Sequence, residues 1–452
     1  MKNRVLSIIT CLTLCFCLLP VLTQTASAAE AVGYVEYSWD EATSTLSLET
    51  KTVMEYTEVT AETTTWEDGT WYVVKDNVTI NSRVTVNGSV NLILADGCSL
   101  STNGITVEPG NTLTIYGQSH STGRLSSVAT DNFYAGIGGG KVGSSCGTVV
   151  IHGGVVMAQG GPSTAAGIGG AGAGASYSST KPAGNGGDVT IYNGTVTAVG
   201  TYYSMGNSSG AGIGGGGGYG HHFLSSGNGG TVKIYGGVVT ATSSHNIGSG
   251  IGGGGCTYVS NNGNTYGGDG GTVTIAGGVV TVAGYSDGIG RGEGGNSDDS
   301  FTASNCIVYE NGTNKIYPAP NSDTCTLTGD YTIPEGMHLN IKDGEILTIP
   351  GGVTLTNNGT LTIQSGECLV GAGTLTGSGA FARAVNINEI SVPSDLIYNG
   401  TEQPLNVTYP TDSITALGRT FYPFGTPTPT TSITFDGDHS KKRRHIYGYR
   451  RQ

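Results

Sequence analysis

A twelve-residue phrase recurs along the chain with small changes. It reads GTVVIHGGVVMA at residues 147–158, GDVTIYNGTVTA at 187–198, GTVKIYGGVVTA at 230–241 and GTVTIAGGVVTV at 271–282. The central isoleucines are Ile151, Ile191, Ile234 and Ile275, so successive copies lie 40, 43 and 41 residues apart. A period of this size is typical of stacked-repeat proteins, in which each repeat buries its apolar face only against its neighbours.

A glycine-rich segment built around Gly-Ile-Gly accompanies each phrase. Its copies are AGIGGG from Ala135, AGIGG from Ala166, AGIGGGGG from Ala211, SGIGGGG from Ser249 and DGIGRGEGG from Asp287. Within each phrase apolar and polar residues alternate, as they do in a strand with one buried face. Each repeat therefore divides into three short strands, TVxI, VVTA and GIGG. This pattern predicts an all-β fold, a parallel β-helix with the right-handed winding usual for parallel crossovers.

The chain begins with the features of a secretory signal peptide, predicted at residues 1–28. Lys2 and Arg4 precede an apolar run that ends at Leu22, and Ala26-Ser27-Ala28 forms a small-residue cleavage site. We therefore expect export to the cell surface or medium of a bacterium. No second apolar span follows, so we expect no membrane crossing after cleavage.

The remainder divides by composition into four regions. Residues 29–75 contain all three tryptophans and are predicted to cap the open end of the solenoid. The β-helix is predicted over 76–384, with its repeats clearest at 135–295. Residues 385–425 have the pattern of an incomplete Ig-like β segment, and 426–452 form a linker-like and basic tail.

Charge and cysteine content limit the classes of partner. Charged residues make up only 12% of the chain and the formal net charge is −13, which argues against a nucleic-acid partner because phosphate binding needs a clustered basic face. Six cysteines follow the signal peptide without CxxC spacing, and Cys306 with Cys325 is the one pair that we expect to form a disulfide. We expect a monomer.

The repeats, together with VNLILADGCSL from Val90 and NTLTIYGQS from Asn111, resemble the glycine-rich β-helix (pectin-lyase-like) modules of surface proteins from gut Firmicutes. The resemblance covers roughly residues 34–380. LIYNGTEQPLNVTY from Leu396 resembles the start of the Ig-like modules that often follow them. The resemblance implies a surface or secreted protein, commonly a carbohydrate-binding or adhesive one, and it supplies no catalytic motif to transfer.

Many β-helices cleave pectins and use paired catalytic carboxylates to do so. The helical body lacks an RxK motif, and Gly220-His221-His222 only approaches the GHG motif of polygalacturonases. The one acidic cluster that a calcium-dependent lyase could use is a possible calcium site at Asp287, Glu293, Asp298 and Asp299, beside Arg291. A solvated loop with no ligand is the alternative interpretation of this cluster, and it is the favoured one. No other cofactor is expected.

A column of aromatic residues is the strongest candidate for binding. The residue that follows the strand isoleucine is Tyr116, His152, Tyr192 and Tyr235 in successive copies, and alternation places it on the outer face. Stacked rungs would align these rings into a strip on which sugar faces could lie, unless the rings merely pack on one another. Six excursion-loop residues could add contacts: Tyr219, His221, His222, Phe223, Tyr258 and Tyr266.

These observations predict a non-catalytic, exported β-helix that acts as an adhesin or carbohydrate-binding stalk. Its expected partners are glycans or other surface ligands of host or bacterium. Two alternatives stay open: a polysaccharide lyase or hydrolase acting on pectin-like glycans, and a purely structural surface spacer.

Overall fold

The computed structural model describes residues 30–173, 181–204, 207–219, 224–257, 266–385 and 412–423. The predicted signal peptide, the basic tail and most of the predicted Ig-like segment lie outside these residues. The described part is built of β-strands, with 3-10 turns at Ser244–Asn246 and Gly366–Cys368 and no α-helix. The all-β prediction is confirmed.

Three parallel sheets run along the first solenoid, and each repeat adds one strand to each of them. Sheet 1 holds the TVxI strands: Thr57–Glu58, Trp71–Val74, Ser89–Leu94, Thr112–Gly117, Thr148–Ile151, Asp188–Ile191, Thr231–Ile234, Thr272–Ile275 and Ser300–Ala303. Sheet 2 holds the VVTA strands: Val78–Ile80, Ser99–Thr102, Arg124–Val128, Val155–Gln159, Thr195–Gly200, Val238–Ser243, Val279–Ala283 and Cys306–Glu310, closed by an antiparallel Thr313–Tyr317. Sheet 3 holds the GIG strands: Thr65–Trp66, Val84–Val86, Ile105–Thr106, Ile137–Gly138, Ile168–Gly169, Ile213–Gly214, Ile251–Gly252 and Ile289–Gly290.

The register stacks each residue on its equivalent in the next repeat. Ile151 pairs with Ile191, which pairs with Ile234, and Ile168 likewise stacks on Ile213. All of these side chains are fully buried in one continuous core. Complete burial of one valine or isoleucine contributes about 1.5–3 kcal/mol, and a rung gains this only when its neighbours are present. The three-strand interpretation of the repeat is confirmed.

The predicted single β-helix of residues 76–384 contains two apolar cores. A second, tighter solenoid has three short parallel sheets: Thr324–Thr326, Ile346–Thr348 and Leu369–Val370; Tyr331–Ile333, Thr354–Asn357 and Thr374–Thr376; His338–Ile341, Thr360–Ile363 and Ala380–Arg383. Its core includes Leu339, Leu355 and Leu361 and packs on the outward side chains of Val279 and Ile307 from sheet 2. The two solenoids are therefore joined by a shared apolar contact.

The described end of the predicted Ig-like segment adds to the second solenoid. Strands Ile414–Ala416 and Arg419–Pro423 form a hairpin, and Ala382 pairs with Tyr422 in parallel. Phe421 is fully buried in the second core. The Ig-like interpretation rests on residues that are mostly outside the described part, and it stays a prediction.

The six cysteines that follow the signal peptide, all within the described residues, form no disulfide. The expected Cys306–Cys325 bridge is therefore wrong for this structure: both side chains are buried as thiols. Burial raises the pKa of Cys325 to about 12. A thiol in such surroundings acts as a small apolar core group.

The N-terminal region, predicted as a cap at residues 29–75, has two parts. Strands β1 (Val32–Asp40) and β2 (Thr45–Val53) form an antiparallel hairpin that lies along the outer face of sheet 1, so it does not close the end of the solenoid. The end is instead filled by Trp66, which is fully buried and stacks on Tyr72 at 5.5 Å between ring centroids. Only residues from Thr57 onward enter the coils.

The described glycine-rich segments between a GIG strand and the next TVxI strand, which we call the glycine stems, lie beside one another. They are residues 170–173, 183–186, 215–218, 227–229, 253–255, 267–270 and 292–295. Neighbouring stems are linked through backbone hydrogen bonds. Gly184 N–H donates to Ala171 O at 2.8 Å, Gly216 N–H to Gly184 O at 3.0 Å and Gly227 N–H to Gly216 O at 2.8 Å. The same pattern continues through Gly254, Gly268 and Gly292.

The close approach of the stems requires glycine. A Cβ on Gly227 would overlap the carbonyl oxygen of Gly184, and a Cβ on Gly184 would overlap that of Ser144. Neither glycine has a positive φ, so the constraint is steric and not conformational. The 78 glycines of the chain are thus explained in part by packing between backbones.

We predict that Gly227→Ala lowers the free energy of unfolding by about 2 kcal/mol, because the added methyl group forces two stems apart. Gly329→Ala is the matched control, since a Cβ there meets nothing within 4 Å. Its effect should stay within about 0.5 kcal/mol. Urea denaturation followed by circular dichroism measures both, and equal effects would contradict the packing role of the stems.

Candidate functional site

The predicted aromatic strip exists as a continuous column of rings. The backbone ladder of sheet 1 extends one residue past each strand isoleucine, with His152 N–H donating to Ile115 O and Tyr192 N–H to Ile151 O, both at 2.8 Å. Ring centroids of Tyr116 and His152 lie 4.8 Å apart, those of His152 and Tyr192 4.7 Å, and those of Tyr192 and Tyr235 5.3 Å. The predicted alignment of the four rings is confirmed.

The rings face one another along the column and not the solvent. The planes of Tyr116 and His152 differ by 2°, and those of His152 and Tyr192 by 5°. At such spacings the faces of parallel rings contact the neighbouring rings, so the ring faces are not available to a ligand. Edges and polar atoms therefore point outward, where a sugar platform would need faces.

The N-terminal hairpin covers the column. Tyr34 packs on Trp71 and Tyr116, each at 4.8 Å between ring centroids, and Trp39 stacks on Tyr235 at 4.7 Å. Tyr116, His152 and Tyr235 are 5%, 6% and 5% exposed, and Tyr192 is half-buried. The expectation of an open strip is therefore corrected: alternation does place these residues on the outer face, but another part of the chain occupies that face.

Polar atoms at the rim of the column are paired with the hairpin. Tyr37 N–H donates to His152 Nδ1 at 3.0 Å, and Tyr235 Oη–H donates to Glu41 Oε1 at 3.3 Å. Asn193 Nδ2 donates to Tyr37 Oη at 2.6 Å. Because Nδ1 accepts, the neutral imidazole carries its proton on Nε2.

Burial keeps the column uncharged. It lowers the pKa of His152 from 6.5 to about 4, with Glu36 opposing and Lys51 assisting this shift. Burial, followed by the charge of Glu41, raises the pKa of Tyr235 to about 12. Burial, followed by the charge of Glu36, also raises the pKa of Tyr116. The column thus acts as a neutral packing surface near pH 7.

The acidic residues considered as a possible calcium site do not converge on a metal-binding position. Asp298 Oδ1 accepts from Arg291 N–H at 3.2 Å and lies 3.6 Å from Arg291 Nε, while Asp299 Oδ2 accepts from Gly271 N–H at 2.6 Å. Glu293 is half-buried, which raises its pKa, and Asp287 is exposed. No group of three or more His, Cys, Asp or Glu side chains suited to a metal occurs among the described residues.

Two of the expected excursion-loop contacts fall within the described residues. Tyr219 is 7% exposed and packs near Tyr203, at 5.9 Å between ring centroids. Tyr266 accepts a hydrogen bond from Ser226 N–H on its carbonyl oxygen at 2.7 Å. The others, His221, His222, Phe223 and Tyr258, lie outside the described residues.

The structure brings together an aromatic group that the sequence interpretation missed. Phe133 and Tyr203 are both half-buried and meet edge to face, with centroids 6.2 Å apart and planes at 73°. With Tyr219 they form what we call the corner patch, at the corner between sheets 2 and 3. Tyr202, the neighbour of Tyr203 in strand Tyr202–Tyr203, stacks on His245 at 4.0 Å. The available signal was an aromatic residue shortly before AGIGGG in two different repeats.

A ladder of polar side chains was also missed, although its sequence signal is clear. Asn-Gly or Asp-Gly precedes each of the phrases that begin at 187, 230 and 271. Asn185 Oδ1 accepts from Asn228 N–H at 2.9 Å, and Asn228 Oδ1 accepts from Asp269 N–H at 3.0 Å. These side chains accept hydrogen bonds from backbone N–H groups in the turns that lead into sheet 1, so their role is structural.

Comparison with known proteins agrees with this architecture. The model of the beta helix repeat family matches residues 149–173, 189–217 and 232–255, which lie within the first solenoid. The matches and the parallel sheets together support a right-handed β-helix. No curated protein and no solved structure matches the chain. In the described ranges no helix is long and apolar enough to span a membrane.

We predict that acid loosens the hairpin through His152. The pKa of this imidazole is lowered in the folded chain, so the folded state binds fewer protons between pH 6.5 and about 4, and stability falls as the pH drops through that range. The loss reaches on the order of 3 kcal/mol at about pH 4 and grows no further from this group below it. Trp39, stacked on Tyr235, should report the loosening as a change in fluorescence.

His152→Phe should remove this component of the pH dependence, while lowering stability near pH 7 because Tyr37 N–H loses its acceptor. His120→Asn is the control, since the side chain of His120 is 81% exposed. A parent and His152→Phe protein with the same pH profile would contradict the assignment.

Proposed function

We propose that this chain is an exported, non-catalytic β-helix that acts as an adhesin or carbohydrate-binding stalk. The observation that carries the proposal is that one side of the solenoid is covered by the hairpin, whereas another side carries long loops. The hairpin covers the outer face of sheet 1, whereas the excursions of successive repeats all rise from the glycine stems beside sheet 3. A solenoid that is covered on one side and carries long inserted loops on another is suited to presenting a ligand-binding surface.

The resemblance to surface proteins of gut Firmicutes and the predicted signal peptide support an extracellular place for this rod. Glycans or other surface ligands of host or bacterium are the proposed partners. The acidic balance of the chain, at net charge −13, supports neither nucleic acid nor another polyanion as a ligand. We propose that the protein works as a monomer and without a cofactor.

The lyase or hydrolase alternative would need carboxylates that converge on a substrate. Among the described residues, the acidic side chains near Arg291 instead cap backbone N–H groups, as Asp299 does for Gly271 and Asp298 for Arg291. A carboxylate used in this way is held for structure, which disfavours the alternative. The spacer alternative differs from the leading proposal only in lacking a ligand.

Binding and cleavage assays on the mature chain separate these functions. We predict retention on one or more glycans of an array, and no release of unsaturated or reducing sugars from pectins. Product release would replace the proposal with the lyase or hydrolase. A folded protein that retains no glycan and no surface ligand would replace it with the spacer.

The proposal also predicts which side of the rod binds. Asn132→Arg places a bulky charge at an exposed position of a loop between sheets 2 and 3, away from the hairpin, and we expect it to weaken retention at least tenfold. Leu48→Arg does the same on the outer face of the hairpin, where Leu48 is 60% exposed, and should leave retention unchanged. The reverse result would assign the hairpin flank as the binding side and contradict the proposal.

A further inference from the structure

Two groups of aromatic rings lie on the outside of the first solenoid, and they differ in what their faces contact. In the column, parallel rings at 4.7–4.8 Å cover each other's faces and the hairpin covers their edges. In the corner patch, Phe133 and Tyr203 meet at 73° and Tyr219 is inclined to Tyr203 by 32°. Edge and tilted contacts leave ring faces that neighbours in the patch do not use.

The backbone of the corner patch is held in a costly conformation. Phe133 has φ of 70°, in the left-handed region that bulky side chains avoid. Asn207 at 44° and His245 at 65° in the same corner are also left-handed, a conformation that Asn and His adopt more readily than Phe does. Glycine would fit position 133 more easily, so the ring of Phe133 is held there at a cost in local stability. Backbone strain of this kind clusters at functional sites, including those that hold a ligand.

The rings lie on an anchored base. Phe133 O accepts from Gly172 N–H at 2.7 Å, which joins its loop to a glycine stem of the next repeat. Tyr219 packs with Ala173, Ala183 and Leu224 in a small apolar cluster, against which Tyr203 is partly buried. The two half-exposed rings are therefore positioned by buried neighbours, as the side chains of a binding site need to be.

We propose that the corner patch is a binding site for a neutral polysaccharide, with the rings of Phe133 and Tyr203 as two walls of an L-shaped cradle for one sugar unit. This inference rests on the proposed function and names its site. The apolar C–H face of a pyranose lies on one ring while the other ring borders its edge. Exposed Asn132, next to Phe133 in the sequence, supplies an amide group for sugar hydroxyls.

Charge selects a neutral chain over an acidic one. Asp131, which is exposed, lies two residues from Phe133, and the whole chain carries a net charge of −13. The nearby guanidinium of Arg83 is turned inward: its Nη2 donates to Ala135 O at 2.8 Å and its Nε to Thr106 Oγ1 at 2.8 Å. An acidic polysaccharide would thus meet a carboxylate at the rim and no outward cation from Arg83, whereas a neutral one meets no penalty.

The test uses the full mature chain and soluble polysaccharides. Neutral probes are mixed-linkage β-glucan, xyloglucan and galactomannan, and polygalacturonate is the acidic probe. Phe133→Gly is the decisive variant because it removes the ring while relieving the left-handed strain. Affinity electrophoresis should show at least tenfold weaker retention by a neutral probe, and thermal unfolding should show a midpoint equal to or above that of the parent. Loss of binding then cannot be assigned to unfolding.

Tyr203→Ala should weaken binding of the same probe by a similar factor, and Tyr422→Ala is its matched control, since Tyr422 is 64% exposed on the second solenoid. If the parent binds glycans and both patch variants bind as the parent does, the corner patch is overturned while the proposed function stands. Preferred binding of polygalacturonate, or of a protein ligand in place of any glycan, would also overturn the site. Absence of any binding by the parent overturns the site and the carbohydrate-binding function together.

Discussion

The fixed distance between successive coils is the constraint on which the structure depends. Hydrogen bonds of parallel strands hold neighbouring coils ~4.8 Å apart, so each residue lies directly on its equivalent in the next repeat. Inward positions must then be apolar in every repeat, as Ile151, Ile191 and Ile234 are. The same spacing brings the outward rings into a stack and leaves no room for a Cβ where the glycine stems meet, as at Gly184 and Gly227.

The constraint also explains how the two flanks of the rod come to differ. Outward residues of sheet 1 repeat too, and their aligned edges and polar atoms offer a regular surface that a single hairpin can cover from Trp71 to Tyr235. Away from the hairpin, the loops between sheets 2 and 3 vary in length and sequence between repeats. There the chain places aromatic residues at irregular positions, such as Phe133 and Tyr203, whose ring faces are not consumed by a stack. The regular outer face of sheet 1 is therefore covered by the hairpin, whereas the irregular loops supply the candidate binding residues.

Much of the fold could be predicted because its contacts repeat with the sequence. The strand triplet and the stacking of the four rings follow from residues that are about 40 positions apart and alike. The hairpin could not be predicted in the same way, since Tyr37 meets His152 across 115 positions and Tyr235 meets Glu41 across 194, with no repeat linking them. Alternation placed the rings outward but could not give the tilt of their planes. The contact between Phe133 and Tyr203 in the corner patch could not be predicted, because the two residues come from different repeats and from unlike loops.

The N-terminal hairpin covers one side of the solenoid, and hydrogen bonds between the glycine stems order another. Amide hydrogen exchange of the mature chain, followed by mass spectrometry, tests this arrangement directly. Peptides from residues 30–53, including the Tyr37 amide that donates to His152, should be protected for as long as those of the stems around Gly184 and Gly216. Rapid exchange over residues 30–53 beside a protected sheet 1 would show an uncovered column and contradict the account.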